Sequence, residues 1–153
     1  MSDMQNYKLT DSLSTSSKED FMGAAEVFEQ MLEIFKTGNM QVMLDLIDED
    51  AVMEFPFAPS NRPSKIQGKN NIIKYNQAIL DNVSFTGLKD VEIHRTLDPD
   101  CVIVEMTGYG SVITTGDAFE RRYIDVCRTE NGRIKLIRDY WNPEASINSK
   151  ITN

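Results

Sequence analysis

One histidine, one tryptophan and two cysteines in 153 residues leave little material for several common chemistries. His94 has no neighbouring His or Cys pair, so no transition-metal set is expected. Cys101 and Cys127 are too few and too far apart for a disulfide framework or a C-x-x-C redox pair, and they read as small apolar groups packed in the core. No metal and no organic cofactor is expected. No apolar run approaches the roughly 20 residues that span a bilayer. The N-terminus MSDMQNYKLTDSLSTSSKED also lacks a basic start followed by an apolar stretch, so a cytoplasmic location is expected. Basic residues are the minority: 16 Lys and Arg against 24 Asp and Glu give a net charge of −8 and a pI near 4.6. That balance argues against nucleic acid and anionic membrane surfaces as partners.

What is present is ordinary for one soluble globular domain, with 41% hydrophobic and 26% charged residues. Residues 1–17, rich in Ser, Thr, Asp and Asn, read as a mobile arm, residues 18–143 as the domain and residues 144–153 as a flexible tail. From Ser17 on, Phe21, Ala24, Ala25, Phe28, Met31, Leu32 and Phe35 recur at helical spacing. Ser17 and Asp20 are placed to cap that helix, and Gly38 to stop it. Asn39 can cap a second, short helix whose stripe is Met40, Met43, Leu44 and Ile47, ending in an acidic turn at Asp48, Glu49 and Asp50. The segment AVMEFPFAP reads as a short strand, Ser60 to Lys69 as a polar loop, and Lys69 to Asp81 as a third helix.

Beyond Phe85 the chain is rich in Val, Ile, Thr and Tyr, interrupted by turn signals at fairly even intervals. Four antiparallel strands are predicted: Gly87 to Leu97, Cys101 to Thr114, Ala118 to Thr129 and Arg133 to Trp141. Asn131-Gly132 is the sharpest turn signal, since both central positions of a type I′ turn take positive φ. Gly108 and Gly110 sit inside a long strand, where glycine permits a bend or bulge. The fold expected is α+β: a cone-shaped, curved antiparallel sheet of four long strands and one short one, covered by three helices and enclosing a pocket.

The order of elements and the pieces EDAVMEFPFAP, DPDCVIVEMTGYG and ENGRIKLIRDYWN resemble the nuclear transport factor 2-like superfamily, in its SnoaL-like and ketosteroid-isomerase-like branch. Within that branch they are similar to the phenazine-biosynthesis A/B proteins, which have LPFAP, VE-x-x-G-x-G and ENGKIK segments. The likeness covers approximately Glu19 to Pro143. It implies a cofactor-independent pocket for a small, largely apolar cyclic molecule, and a homodimer formed through the outer face of the sheet. The proton-shuttling aspartate of the ketosteroid isomerases falls on Phe55. In the Asp-Arg-Asp triad of the superfamily's epoxide hydrolases the carboxylates match Glu105 and Asp139, and the arginine falls on Ile103. The acid/base glutamate of the phenazine A/B proteins aligns with Asp139.

The candidate catalytic residues are therefore Asp139, Glu105 and His94. Asp139 shares a strand face with Ile137 and Trp141, so its carboxyl should be partly desolvated and its pKa raised. The competing structural role is an ion pair with Arg121, Arg122 or Arg138. Glu105 shares its face with Ile103, Thr107 and Tyr109. If both carboxylates enter the pocket, like charge drives their titrations apart and supplies an acid and a base together. Histidine changes charge near neutral pH, which makes His94 a candidate proton carrier. Tyr109 and Tyr123 can donate to a substrate carbonyl, and Phe28, Met53, Phe55, Ile103 and Trp141 are candidate walls. Three functions fit: an acid-base enzyme of the cyclase, isomerase or condensation type, with an epoxide-hydrolase-like hydrolase as the enzymatic alternative; a non-catalytic ligand-binding domain; and a protein-interaction module.

Overall fold

A computed structural model describes residues 21–144; the expectations for residues 1–17 and for the tail beyond residue 144 lie outside them. Helix α1 runs Ala24–Thr37 and buries Ala24, Ala25, Val27, Phe28, Met31 and Ile34, the three-and-four spacing of one apolar stripe. Ser17 and Asp20, expected as its cap, lie outside the described residues, and residues 21–23 are not helical. Phe21, expected on the buried stripe, is 56% exposed. The start is set instead by the 98–100 turn, whose Pro99 carbonyl accepts the Ala24 N–H at 2.9 Å. Gly23 makes that approach possible, since a Cβ there would stand 3.0 Å from the same oxygen. Gly38, at φ 68°, closes the helix with its N–H on Ile34 O.

Helix α2 is Gln41–Leu46, and the Asn39 side chain accepts the Gln41 N–H at 3.0 Å. The acidic run is not a turn after the helix: Ile47–Glu54 is strand β1. Asp48 accepts the Asp50 N–H and the Lys135 ammonium where the register breaks between Ile47 and Val52. Turn-like bonding thus sits inside a bulged strand. The expected polar loop contains strand β2, Lys65–Gln67, too short to show a period. Helix α3 spans Lys69–Asn82.

Strands β3 (Val83–Arg95), β4 (Cys101–Val112), β5 (Ala118–Glu130) and β6 (Arg133–Trp141) complete one curved, unclosed sheet of order β2-β1-β6-β5-β4-β3. It has six strands rather than five, and β1 runs parallel to β6. Asn131 (φ 51°) and Gly132 (φ 75°) form the tight hairpin turn between Glu130 and Arg133. Curvature concentrates where β3 slips register against β4, between Phe85 and Gly87 and again between Lys89 and Glu92. Gly110 lies there with its Cα against the Ser84 carbonyl, leaving no room for a Cβ. Val102, Val104, Met106, Cys127 and Ile137 point inward onto the buried face of α1, so helices and sheet share one core.

Candidate functional site

A cavity of about 120 Å³ remains between α1, α3 and the concave face of the sheet, far above the roughly 10–15 Å³ that one water needs. Its far end is aromatic: the Phe85 ring stands edge-on to Phe35 at 5.1 Å and to Phe119 at 5.4 Å. Met31, Met43, Met53 and Met106 line its sides, an adaptable wall. Its polar end is built on β5 and β6, where alternation turns Arg121, Tyr123 and Asp125 inward on one strand and Asp139 and Trp141 on the other.

Asp125 and Asp139 are direct partners across the β5–β6 register, and Oδ1 of each is buried without a hydrogen-bond partner among the described residues. Asp125 is 7% exposed, whereas Asp139 is half-buried, and both line the cavity. Desolvation lifts Asp139 to about 6, against the pull of a hydrogen bond from Asp125 and of the Arg121 charge. Asp125 is lifted well above the carboxylate range, first by burial and then by the charge and hydrogen bond of Asp139. A bond between two carboxyls needs one proton, which belongs to the pair. The pair therefore offers an acid beside a base.

Four further polar groups line the cavity with this pair. Burial pushes the Tyr123 phenol up to about 12 and raises that of Tyr75, so both remain hydrogen-bond donors. The guanidinium of Arg121 donates to Tyr123 and lies 5.0 Å from the Trp141 ring centroid. That of Arg62, from the segment between β1 and β2, donates to Tyr75 and lies 5.7 Å from the same ring.

Of the residues singled out in the sequence, Asp139, Tyr123, Trp141, Phe28 and Met53 line the cavity. Phe55 is buried one layer behind the wall, with its ring 5.1 Å from Tyr75. Glu105, Ile103 and Tyr109 do share one face, as their spacing implies, but it is the outer one. The alternate set Val102, Val104 and Met106 is more apolar and takes the core. Glu105 is thus separated from Asp139 by the sheet. His94 Nε2 lies 2.8 Å from one of its oxygens and Arg122 Nη2 3.2 Å from the other. The hydrogen bond from His94 and then that from Arg122 hold the Glu105 carboxyl below its usual range. Glu92 stands 3.8 Å from the same imidazole, and one atom each of Glu92, His94 and Glu105 lie within 4.8 Å of one another. Tyr109 lies beneath the Lys89 ammonium.

The structural role considered for Asp139 is filled by other residues: Arg122 pairs with Glu105 and Arg138 with Glu54, while Arg121 acts on Asp139 only as a nearby charge. Asp125, Tyr75 and Arg62 went unassigned in the sequence, and Arg121 entered there only as a candidate ion-pair partner of Asp139. Tyr123, Asp125 and Cys127 alternate on one strand, which was the available sign that Asp125 faces inward.

A family profile for the SnoaL-like domain matches residues 28–137. The chain is 35% identical over 124 residues to the uncharacterized protein YesE of Bacillus subtilis, covering 81% of this chain and 84% of YesE. It is 34% identical over 124 residues to an uncharacterized PhzA/B-like protein of Pseudomonas aeruginosa, covering 80% and 86%. The crystal structure of an isomerase candidate from Bacillus subtilis superposes with a TM-score of 0.73 at 35% identity, over 78% of this chain and 86% of that one.

Proposed function

The chain belongs to the SnoaL-like domain family, and on that premise we propose that it is an enzyme of the isomerase or cyclase type that moves a proton on a small cyclic carbonyl compound. The observation that carries this reading is the buried Asp125–Asp139 pair at the cavity wall, two carboxyls opposed in register whose titrations are both raised by burial. Asp139, half-buried at the cavity wall, takes the proton from carbon next to the carbonyl. Asp125 holds the hydrogen bond that stabilises the Asp139 anion and returns as its partner when the proton moves on. Tyr123 and Tyr75 donate to the carbonyl oxygen as charge develops there. The Phe85 end of the cavity excludes water from the ring, which strengthens each of these interactions. All of these groups belong to the chain itself.

The test needs no knowledge of the natural substrate. In D2O, a panel of small cyclic ketones and enones should gain deuterium next to the carbonyl faster with the protein than without it, as read by mass spectrometry. Asp139→Asn should lose this exchange and keep the circular-dichroism spectrum; exchange at the wild-type rate in that variant would sink the assignment.

A second reading, opening of an epoxide by water, draws support from one observation: two carboxyls and an arginine meet at the polar end. These are the residue types of the superfamily's epoxide hydrolases, at other positions. Incorporation of ¹⁸O from labelled water into a diol product would favour it over proton transfer. We also propose a homodimer through the outer face of the sheet, where Ile124 and Val91 are exposed; a monomer mass by light scattering at micromolar concentration would exclude it.

A further inference from the structure

The outer face of the sheet carries a cluster that the proposed reaction does not use. From the Lys89–Thr107 pair to the Glu92–Glu105 pair, β3 advances three residues while β4 advances two, with Asp90 at φ 53° inside the slip. Without that slip Val91 would stand opposite Glu105; with it, Glu92 does. Like charges directly opposite each other across a strand pair are unfavourable, so the bulge builds an arrangement that asks for a positive group between the two carboxylates. His94 follows Glu92 by two residues and shares its face. Its Nε2 lies 2.8 Å from Glu105 Oε2 and 3.8 Å from Glu92 Oε2. Arg122 does not fill the space between them. It donates to the other Glu105 oxygen, to Thr107 Oγ1 and to the Asp90 carbonyl, which leaves Glu105 Oε2 turned toward the imidazole.

We propose that Glu92, His94 and Glu105 form a site for one divalent transition-metal cation, zinc by its donor chemistry, which ties β3 to β4 across the bulge. One imidazole with two carboxylates suits Zn²⁺, whereas Mg²⁺ and Ca²⁺ take oxygen ligands. Metal–ligand bonds of about 2.0–2.2 Å set neighbouring donors roughly 3–3.6 Å apart. The observed separations of 2.8 and 3.8 Å bracket that spacing, so side-chain adjustment closes the site without backbone movement. His94 binds through Nε2 with its ring proton on Nδ1, and the cation replaces the hydrogen bond to Glu105 and the repulsion of Glu92 by two attractions. The charge of Arg122 is offset by Asp90, Glu92 and Glu120, which line one surface recess with it. Three protein ligands leave a position for water. Because β3 is the sheet edge and has β4 alone for a neighbour, a clamp at the bulge holds the strand where its ladder is interrupted. No second His or Cys stands near His94 in the sequence, which is why no metal set is expected from spacing; these ligands assemble across two strands. The inference is independent of the cavity, from which the sheet separates it.

His94 is the single histidine of the chain, so its ring-proton NMR signals report the site directly. Zn²⁺ is titrated into untagged, chelator-treated full-length protein and followed by calorimetry and by those signals, with Mg²⁺ as the control for general attraction to an acidic surface. One Zn²⁺ per chain should bind saturably and shift the His94 ring signals, and Mg²⁺ at the same concentration should leave them in place. His94→Ala, Glu92→Gln and Glu105→Gln should each weaken Zn²⁺ binding by about tenfold or more, with an unchanged circular-dichroism spectrum. Zn²⁺ should also raise the denaturation midpoint of the wild type, by binding the folded state, and not that of His94→Ala. The proposal is overturned by the lack of saturable Zn²⁺ binding, by binding that leaves the ring signals unmoved, or by affinity undiminished in His94→Ala or Glu92→Gln. Equal affinity for Mg²⁺ and Zn²⁺ would likewise reduce the cluster to ordinary acidic surface.

Discussion

On the inner face of the sheet, Asp125 and Asp139 oppose each other with no ion pair among the described residues; on the outer face, one strand away, Glu105 lies between His94 and Arg122. Both sites are carboxylates on neighbouring strands of one sheet, and their titrations move in opposite directions. Asp139 rises because water has been removed and no cation has replaced it at bonding distance. Glu105 falls because His94 and Arg122 donate hydrogen bonds to it while solvent remains near. The side of a pleated strand on which a carboxyl emerges therefore decides whether it holds charge firmly or is poised to trade a proton. Strand phase is a functional variable here as well as a packing one.

The strongest way to break this comparison is kinetic. Asp139→Asn on the inner face is expected to lower deuterium exchange by about 10²–10⁴-fold, the usual range for a positioned acid-base group. In the wild type the exchange rate should climb as pH passes about 6, since only ionised Asp139 accepts a proton. A rate independent of pH between 5 and 8 would remove Asp139 from the base role.

The same group should appear in stability with the opposite slope. The folded state binds the Asp139 proton more tightly than the unfolded chain, so its favourable contribution is complete below the ordinary carboxylate pKa and is lost as pH rises to about 6. The loss amounts to about 3 kcal/mol. Chemical denaturation at pH 4.5 and pH 7 should show about two thirds of it, and Asp139→Asn should flatten the difference and be the more stable protein at pH 7.

A third test strikes the bend that separates the faces. Gly110→Ala places a methyl against the Ser84 carbonyl where β3 slips register, and should cost about 1–3 kcal/mol as an overpacked, immobile contact. Gly108→Ala meets only the Phe85 and Tyr123 rings. It should cost less stability while narrowing the cavity, seen as slower deuterium exchange.

Much of this architecture is legible in the sequence because it rests on local chemistry. Gly38 stops α1, Asn131-Gly132 fixes the last hairpin, and the apolar stripe of α1 names its buried face. The site is less legible, for two physical reasons. On β4 both alternating sets contain apolar residues, and the choice between Val102, Val104, Met106 and Ile103, Glu105, Tyr109 is made by the helices packed above. On β5 and β6, counting outward from the two-residue turn places Asp125 opposite Arg138. A slip between Arg128 and Thr129 moves the pairing by one residue and sets Asp125 opposite Asp139 instead. A single bulge, silent in the sequence, creates the carboxyl pair.

The smallest effect is expected on the outer face, and it sharpens the comparison most. Glu105→Gln removes an anion held by His94 and Arg122 in the reach of solvent, where an ion pair competes with water and mobile ions. Deuterium exchange should stay at the wild-type level, because the sheet lies between Glu105 and the cavity. Since its carboxyl is held below the usual range, its contribution to stability is present above the ordinary carboxylate pKa and is lost as pH falls. Without added metal, the variant should therefore differ from wild type only in the shape of its acid denaturation profile. A loss of exchange comparable with that of Asp139→Asn would mean that charge on one face of the sheet is felt on the other, and that strand phase does not isolate the two carboxylate sites.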